Sequence, residues 1–320
     1  MSRITSLAER RRALIALTLA GSTWGLTLPL SAIALHSVAP AWLASIRFGV
    51  AALLLALVAG RENLRAALDA KVLGWGALGY AGVIVLQGEA IERTSVSHAA
   101  VLGGSVPVLV VAMAMARGGR RPSPAVVLGL LGALAGATLI AGAGGGHASL
   151  EGDALVLLAS VLSALYIVAQ PRLLGGRTPV ALTSVQMGAA SILTLPLALF
   201  AEPAPHVHGS ALLAIVGLVV IGSLLPFTLY AWGQTRVHSE VAGAFLNLEA
   251  LVGGVLGILA FHDPCGVQQT LGMSLMLAGI MLVVIKAPRL PDRDLDRAAI
   301  PARYPARPGS SELRLRELAE

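Results

Sequence analysis

The sequence is a succession of long apolar stretches separated by short polar segments. Between residues 13 and 286 these stretches are about 18–23 residues long, and a helix of that length spans roughly 30 Å of hydrocarbon. None of them shows the polar and apolar alternation of a membrane barrel strand. The pattern therefore predicts an all-α integral membrane protein. Ten transmembrane helices are expected near residues 13–35, 40–59, 72–91, 97–116, 124–142, 153–170, 179–200, 211–233, 239–261 and 267–286.

Composition excludes the ordinary soluble classes. Charged residues make up 12% of the 320 residues, whereas a soluble domain carries about 25%. Mean hydropathy is +0.80. A net charge of +6 is by itself compatible with nucleic-acid binding, but the positions of the basic residues account for it in another way. The expected partners are a small-molecule substrate and the lipid bilayer, with no nucleic acid.

The basic residues predict the orientation of the chain in the membrane. Of the 23 lysines and arginines, 21 lie in segments on one side of the expected spans, Arg93 lies in an opposite loop, and Arg47 lies inside a span. Because basic loops stay in the cytoplasm, both termini are expected there, in a multi-pass protein of the cell (inner) membrane. Residues 1–12 form the cytoplasmic N-terminus. Residues 287–320, rich in charge and proline, are predicted to be a disordered cytoplasmic tail.

Two parts of the sequence resemble each other. Residues 37–48 align with residues 176–187 at an offset of 139, which pairs Arg47 with Gln186. Later segments align at an offset of 143, which pairs Gly129 with Gly272. Two halves of five helices each are implied, at 13–142 and 153–286, and the odd number inverts the second half in the membrane. Inverted repeats are typical of transporters with a midplane substrate site, although some channels also use them.

Short motifs follow one another in a characteristic order through the two halves. They are Trp24-Gly25, Pro40, Ile46-Arg47-Phe48, Ser97-His98-Ala99-Ala100, Val106-Pro107, Ala164-Leu165-Tyr166, Pro179 and Leu248-Glu249. In order and spacing they resemble the drug/metabolite transporter superfamily, in the branch built from two EamA-like domains, over residues 12–287. Family members usually follow Leu-Glu with proline, and here Ala250 stands instead, which leaves less reason to expect a broken helix at this point.

The resemblance implies a secondary active transporter that works by alternating access across the cytoplasmic membrane. It implies export of a small polar metabolite, an amino-acid-like compound or a drug. Protons are the candidate coupling ion because of two acidic residues, Glu249 and Glu89. No enzyme activity and no cofactor are expected. No metal is expected either, since His206 and His208 are too few ligands for a metal site. The alternative is a channel-like or accessory membrane protein without substrate turnover. A monomer and a homodimer both fit the sequence.

Charged residues within spans are the first candidates for a substrate site. Arg47 lies about seven residues, or roughly 10 Å, into the second span. A charge there is costly unless it faces water or a partner, so Arg47 either binds an anionic group or is a structural arginine satisfied by carbonyls or headgroups. Glu249, beside Asn247 in the ninth span, either recognises an ammonium group and couples to protons or makes an inter-helix hydrogen bond.

Other polar and aromatic residues extend this predicted substrate site. Glu89 lies in the same half of the membrane as Arg47, so it is expected to pair with Arg47 and is a second proton-coupling candidate. Gln87 and Glu89 are about 200° apart on a helix and cannot both face a cavity. Trp24 is either a cavity wall or packing bulk. The full predicted set is Trp24, Arg47, Gln87, Glu89, Tyr166, Gln186, Asn247 and Glu249, in which Tyr166 and Gln186 represent the second repeat.

Glycines at short spacings predict close helix packing rather than ligand binding. Gly129, Gly132 and Gly136 lie at such spacings in the fifth span. Small residues in this arrangement let two helices approach closely in lipid.

Overall fold

The computed structural model describes residues 7–91, 93–94, 99, 102–117, 121–141, 149–207, 209–261 and 266–287. Residues 288–320 of the predicted tail, His208 and most of the Ser97-His98-Ala99-Ala100 motif lie outside the described residues. Regular structure within these ranges is helical throughout. The fold class predicted from the apolar stretches is therefore confirmed.

The elements follow the order of the predicted spans. They are α1 (Leu7–Gly25), α2 (Thr27–Leu35), α3 (Pro40–Ala59), α4 (Arg61–Ala67), α5 (Ala70–Gly76), the π-helical segment π1 (Ala77–Gly82), α6 (Val83–Ile91), α7 (Val106–Ala116), α8 (Pro124–Ala141), α9 (Leu150–Leu174), α10 (Pro179–Ala201), α11 (Ser210–Val219), the π-helical segment π2 (Val220–Leu224), α12 (Leu225–Gly233), α13 (Ser239–Ala244), α14 (Asn247–Phe261) and α15 (Val267–Lys286).

Eight helical stretches in the described ranges are long and apolar enough to cross a membrane. Several consist of consecutive elements, such as α1 with α2, or α11 with π2 and α12. At the places of the predicted fourth and fifth spans stand two further apolar helices, α7 with 11 residues and α8 with 18.

The outer surface of the bundle is apolar. Leu57 is 82% exposed, Leu213 75% and Phe200 89%. Such side chains would be unfavourable in water, whereas contact with lipid tails has no such cost. The exposure of these residues agrees with a helical bundle embedded in a bilayer.

Proline accounts for the interruptions of the first and eighth spans. Pro29 has no N–H to donate to the carbonyl of Gly25, four residues earlier, and α1 ends at Gly25. Pro226 stands in the same relation to Gly222, and the segment that contains Gly222 is π2. A π-helical turn changes the register of the helix and often lies at a functional site.

The ninth span is broken even though Ala250 replaces the family's proline, so the reasoning from that residue was wrong. Helix α13 ends at Ala244, and α14 begins at Asn247. The intervening turn carries hydrogen bonds over three residues, from Leu248 to Phe245 and from Glu249 to Leu246, each at 3.1 Å. Glycine on α1 makes room for this turn, because a Cβ on Gly21 would overlap the Phe245 carbonyl oxygen. The break places Glu249 in the first turn of α14.

Reciprocal contacts relate the two halves by a pseudo-two-fold axis. The most extensive helix contacts join the repeat-related pairs α3 with α10 and α8 with α15. Between α3 and α10, the hydroxyl of Ser191 donates to the carbonyl of Ser45 at 2.9 Å, and the hydroxyl of Ser184 donates to the carbonyl of Ala52 at 2.8 Å. At the offset of 139, Ser45 corresponds to Ser184 and Ala52 to Ser191. The two hydrogen bonds therefore join the same two repeat positions, once in each direction.

Glycines form the corresponding seam between α8 and α15. A Cβ on Gly129 would lie 2.8 Å from the carbonyl oxygen of Gly279, and a Cβ on Gly136 would lie 2.5 Å from that of Gly272. The seam has room only for glycine at these positions, so the prediction of close packing at Gly129 and Gly136 is confirmed. At Gly132 a Cβ would make ordinary contacts at 3.8 Å.

Candidate functional site

Arg47 reaches from the first half of the chain to π2 in the second half. Its Nε donates to the hydroxyl of Ser223 at 2.9 Å, and its Nη2 donates to the carbonyl of Gly222 at 3.0 Å. Pro226 cannot donate to the same carbonyl, which leaves it available to the guanidinium. The guanidinium carbon also lies 5.1 Å from the ring centre of Phe48, within cation–π distance. These contacts fix the orientation of the guanidinium group.

Glu249 is the acidic counterpart of Arg47 in the interior. It is half-buried and interacts electrostatically with Arg47. Among the described residues, none donates a hydrogen bond to its carboxylate. The structure therefore brings Arg47 and Glu249, one charge from each half, into one electrostatic neighbourhood.

Aromatic rings from both halves meet beside this charge pair. The Trp24 ring centre lies 5.1 Å from that of Phe227 and 5.3 Å from that of Tyr230. The ring centre of Phe227 also lies 6.2 Å from that of Phe48 and 4.5 Å from that of Tyr80. Trp24 was predicted from sequence, whereas Phe227 and Tyr230 were missed because nothing in their sequence spacing distinguishes them from packing residues.

Ser223 was also missed, although one signal pointed to it. At the offset of 143, Ser223 corresponds to Tyr80, and both lie in π-helical segments at equivalent places in the two halves. A polar residue in the middle of an apolar span, at a repeat-related position, was the available indication.

Tyr166 and Gln186 lie in a closed hydrogen-bond network with Gln170 and Tyr80. Gln186 Oε1 accepts from Gln170 Nε2 at 3.0 Å, and Gln186 Nε2 donates to Gln170 Oε1 at 2.8 Å. The Tyr166 hydroxyl lies 2.7 Å from the Tyr80 hydroxyl and 3.1 Å from Gln186 Oε1. All four side chains are buried. In this conformation the two predicted residues bond to each other, to Tyr80 and to Gln170, and among the described residues none of these hydrogen bonds involves Arg47 or Glu249.

Gln87 and Glu89 lie at an exposed end of the third span. The expected pairing of Glu89 with Arg47 is wrong, because the Glu89 carboxylate lies 2.6 Å from Arg93 Nη1, one helical turn further along. Arg93 Nε in turn lies 3.2 Å from the carboxylate of Glu151. Arg93 lies one helical turn from Glu89, whereas the half-buried Arg47 already bonds to Ser223 and Gly222.

Asn247 is buried at the start of α14. Its exposed fraction is 5%, and its Nδ2 has no hydrogen-bond partner among the described residues. Gln234, at the end of the eighth span, is likewise buried, and within the same described ranges neither atom of its amide is paired. Unpaired amides in a protein interior are uncommon, and they are suited to ordered water or a ligand.

The chain is similar to known transporters along almost its whole length. The EamA-like transporter family matches residues 11–142 and again residues 150–285. A protein of Streptantibioticus cattleyicolor named as a probable terminal-alkyne amino-acid exporter is 31% identical over 283 residues, which cover 85% of this chain and 93% of that protein. An uncharacterized transporter of Archaeoglobus fulgidus is 27% identical over 279 residues, which cover 85% of this chain and 98% of that protein.

A solved crystal structure has the same fold. It matches with a TM-score of 0.77 at 21% sequence identity, over 86% of this chain and 97% of its own length. Together with the apolar spans, the transporter relatives identify a multi-pass membrane transporter of a small molecule. The family expected from the paired motifs is confirmed: the chain belongs to the EamA-like transporter family.

Proposed function

We propose that this transporter exports small amino-acid-like zwitterions by secondary active transport. The observation that carries the proposal is that an apolar bundle holds two half-buried charges in its spans, the cation Arg47 from one half and the anion Glu249 from the other. Burying two charges is costly, so an interior that retains both is suited to a ligand that carries both opposite charges.

The hydrogen bonds of Arg47 determine which ligand group it accepts. Ser223 and Gly222 occupy Nε and one N–H of Nη2. Among the described residues, none accepts from the two N–H groups of Nη1 or from the other N–H of Nη2, and one N–H from each of these two nitrogens together form the end-on edge of the guanidinium. Two parallel hydrogen bonds from such an edge match the two oxygens of a carboxylate. Arg47 is therefore assigned to the substrate carboxylate.

Glu249 is assigned to the substrate ammonium group. Its half-buried carboxylate has no hydrogen-bond donor among the described residues, so an ammonium group would supply up to three. Because the carboxylate binds either an ammonium group or a proton, the two compete for one site. Proton entry would then release the substrate on one side, and substrate binding would release the proton on the other. This competition couples export to proton influx.

Two other observations support export by alternating access. One is the relative whose name is a probable terminal-alkyne amino-acid exporter. The other is the reciprocal contact pattern between α3 and α10, since inverted halves can exchange conformations around a midplane site. We further propose an inner-membrane location with both termini in the cytoplasm, supported by the 21 basic residues on one side.

Counter-flow in proteoliposomes tests this proposal. Vesicles loaded with an unlabelled neutral amino acid should accumulate the labelled compound through the wild-type protein, and a pH gradient should drive net movement. Arg47→Ala should abolish both signals while the protein remains folded. Glu249→Gln should abolish the response to the pH gradient, and Glu89→Gln serves as the matched control at an exposed ion pair. Flux without counter-flow would instead favour a channel.

A further inference from the structure

Trp24 and Phe227 are two half-buried aromatic residues near Arg47 and the helix of Glu249. They belong to opposite halves, and their ring centres lie 5.1 Å apart at an interplanar angle of 77°. Both side chains are half-buried, whereas the neighbouring rings of Phe48, Tyr80 and Tyr230 are buried. The exposed area of this aromatic cluster is therefore concentrated on Trp24 and Phe227.

Contacts connect the rings of Trp24 and Phe227 to Arg47 on one side and to the helix of Glu249 on the other. On one side, the ring centre of Phe227 lies 6.2 Å from that of Phe48, and the guanidinium carbon of Arg47 lies 5.1 Å from the ring centre of Phe48. On the other side, Gly25 follows Trp24 directly, and a Cβ on Gly25 would lie 2.9 Å from the carbonyl oxygen of Glu249. A ligand that spans both charges would therefore have the rings as its neighbours.

The chemistry of this surface selects what the rest of the ligand can be. The hydroxyl of Tyr230, whose ring centre lies 5.3 Å from that of Trp24, already donates to the carbonyl of Ala242 at 3.0 Å. A polar group of a ligand stacked on these rings would lose hydrogen bonds to water, because the carbon atoms of a ring face offer none in return. Apolar groups would gain burial, and groups with π electrons would add edge and face contacts with the two rings.

We propose that Trp24 and Phe227 form the subsite for the side chain of the substrate, and that the substrate class is α-amino acids with apolar, π-rich side chains. This inference rests on the proposed function, in which Arg47 holds the carboxylate and Glu249 the ammonium group. Both groups are attached to one carbon atom of an α-amino acid. The remaining substituent then extends along the rings.

A series of amino acids that differ only in the side chain tests the subsite. Alanine, norvaline, propargylglycine, phenylalanine, serine and aspartate are compared by their inhibition of counter-flow in the wild-type protein. Propargylglycine and phenylalanine should compete about tenfold more strongly than alanine, as expected for an added apolar group in a hydrophobic pocket. Serine should be no better than alanine, and aspartate should be weaker.

Variants of the two rings separate a subsite from packing. Trp24→Ala and Phe227→Ala should weaken competition by propargylglycine about tenfold more than competition by alanine, since alanine does not reach the rings. Phe200→Ala, at a phenylalanine that is 89% exposed, is the matched control and should keep the preference. Phe227→Leu, which keeps an apolar side chain, replaces Phe227→Ala if the latter does not fold.

Different failures overturn different parts of the inference. Equal competition by the whole series in the wild-type protein would overturn the side-chain subsite and leave the zwitterion site standing. Ring variants that weaken alanine and propargylglycine by the same factor would also overturn it, because the rings would then act only through packing. If no amino acid competes at all, the zwitterion proposal is wrong, and the subsite with it.

Discussion

Arg47 and Gln186 occupy equivalent positions in the two halves, and each reaches a π-helical segment in the opposite half. Arg47 donates to Ser223 in π2 at 2.9 Å, and Gln186 accepts from Tyr80 in π1 at 3.4 Å. Ser223 and Tyr80 are themselves related by the offset of 143. One crossing carries a charge and is half-buried, whereas the other is neutral and buried. The repeat thus provides the same inter-half contact twice, with different chemistry in each copy.

Ser223→Ala should weaken the proposed carboxylate binding by Arg47. The substitution removes the hydrogen bond that orients Nε, and hydrogen bonds to charged groups contribute about 1.5–3 kcal/mol. We expect KM for an amino acid to rise about tenfold with little change in maximal rate, and Ser223→Thr to restore it. The measurement compares an amino acid with its primary amide, which lacks the carboxylate. An equal effect on both would show that Ser223 contributes only to packing.

Gln170 and Gln186 should behave as one unit in stability measurements. Their reciprocal amide bonds of 2.8 and 3.0 Å are buried, so removing either partner leaves the other unpaired. We expect Gln170→Leu and Gln186→Leu to lower the free energy of unfolding, with a coupling of roughly 0.5–1.5 kcal/mol in the double variant. Unfolding in mixed micelles measures the cycle. Strictly additive losses would contradict the network.

The sequence alone was sufficient for the helical membrane fold and for the two charges of the candidate site, because a charge within an apolar span is rare and visible in isolation. It was insufficient for Ser223 and Phe227, whose roles depend on which helix lies opposite. The π-helical segments have no compositional signature, although Pro226 marked the place of one. For Glu89, the competing partner Arg93 was readable four residues away, and the pairing rule for helices would have corrected the expectation.

Glu89→Gln should leave transport within about twofold of the wild type, because its carboxylate belongs to an exposed ion pair. The side chains of Arg93 and Glu89 are 36% and 51% exposed, and pairs in solvent contribute little to stability. Initial rates of pH-driven uptake measure this directly. A loss as large as that expected for Glu249→Gln would return Glu89 to the coupling mechanism.

The glycine seam between α8 and α15 should be intolerant of even one added carbon. In Gly136→Ala the new Cβ would stand 2.5 Å from the carbonyl oxygen of Gly272, and backbone on both sides must then separate. Overpacking of this kind costs about 1–3 kcal/mol. We expect Gly136→Ala to lower the temperature at which the heated, purified protein loses its monodisperse peak in size-exclusion chromatography.

Gly88→Ala is the matched control for the seam, because no atom of the part of the chain that the structure describes lies within 4 Å of the Cβ it would add. Alanine is the better helix former by about 1 kcal/mol, so this variant should be neutral or slightly more stable. The contrast between the two alanines isolates the close approach of α8 and α15 from helix propensity. Equal stability of both variants would mean that the helices separate at little cost, and that Gly136 and Gly272 do not hold the seam together.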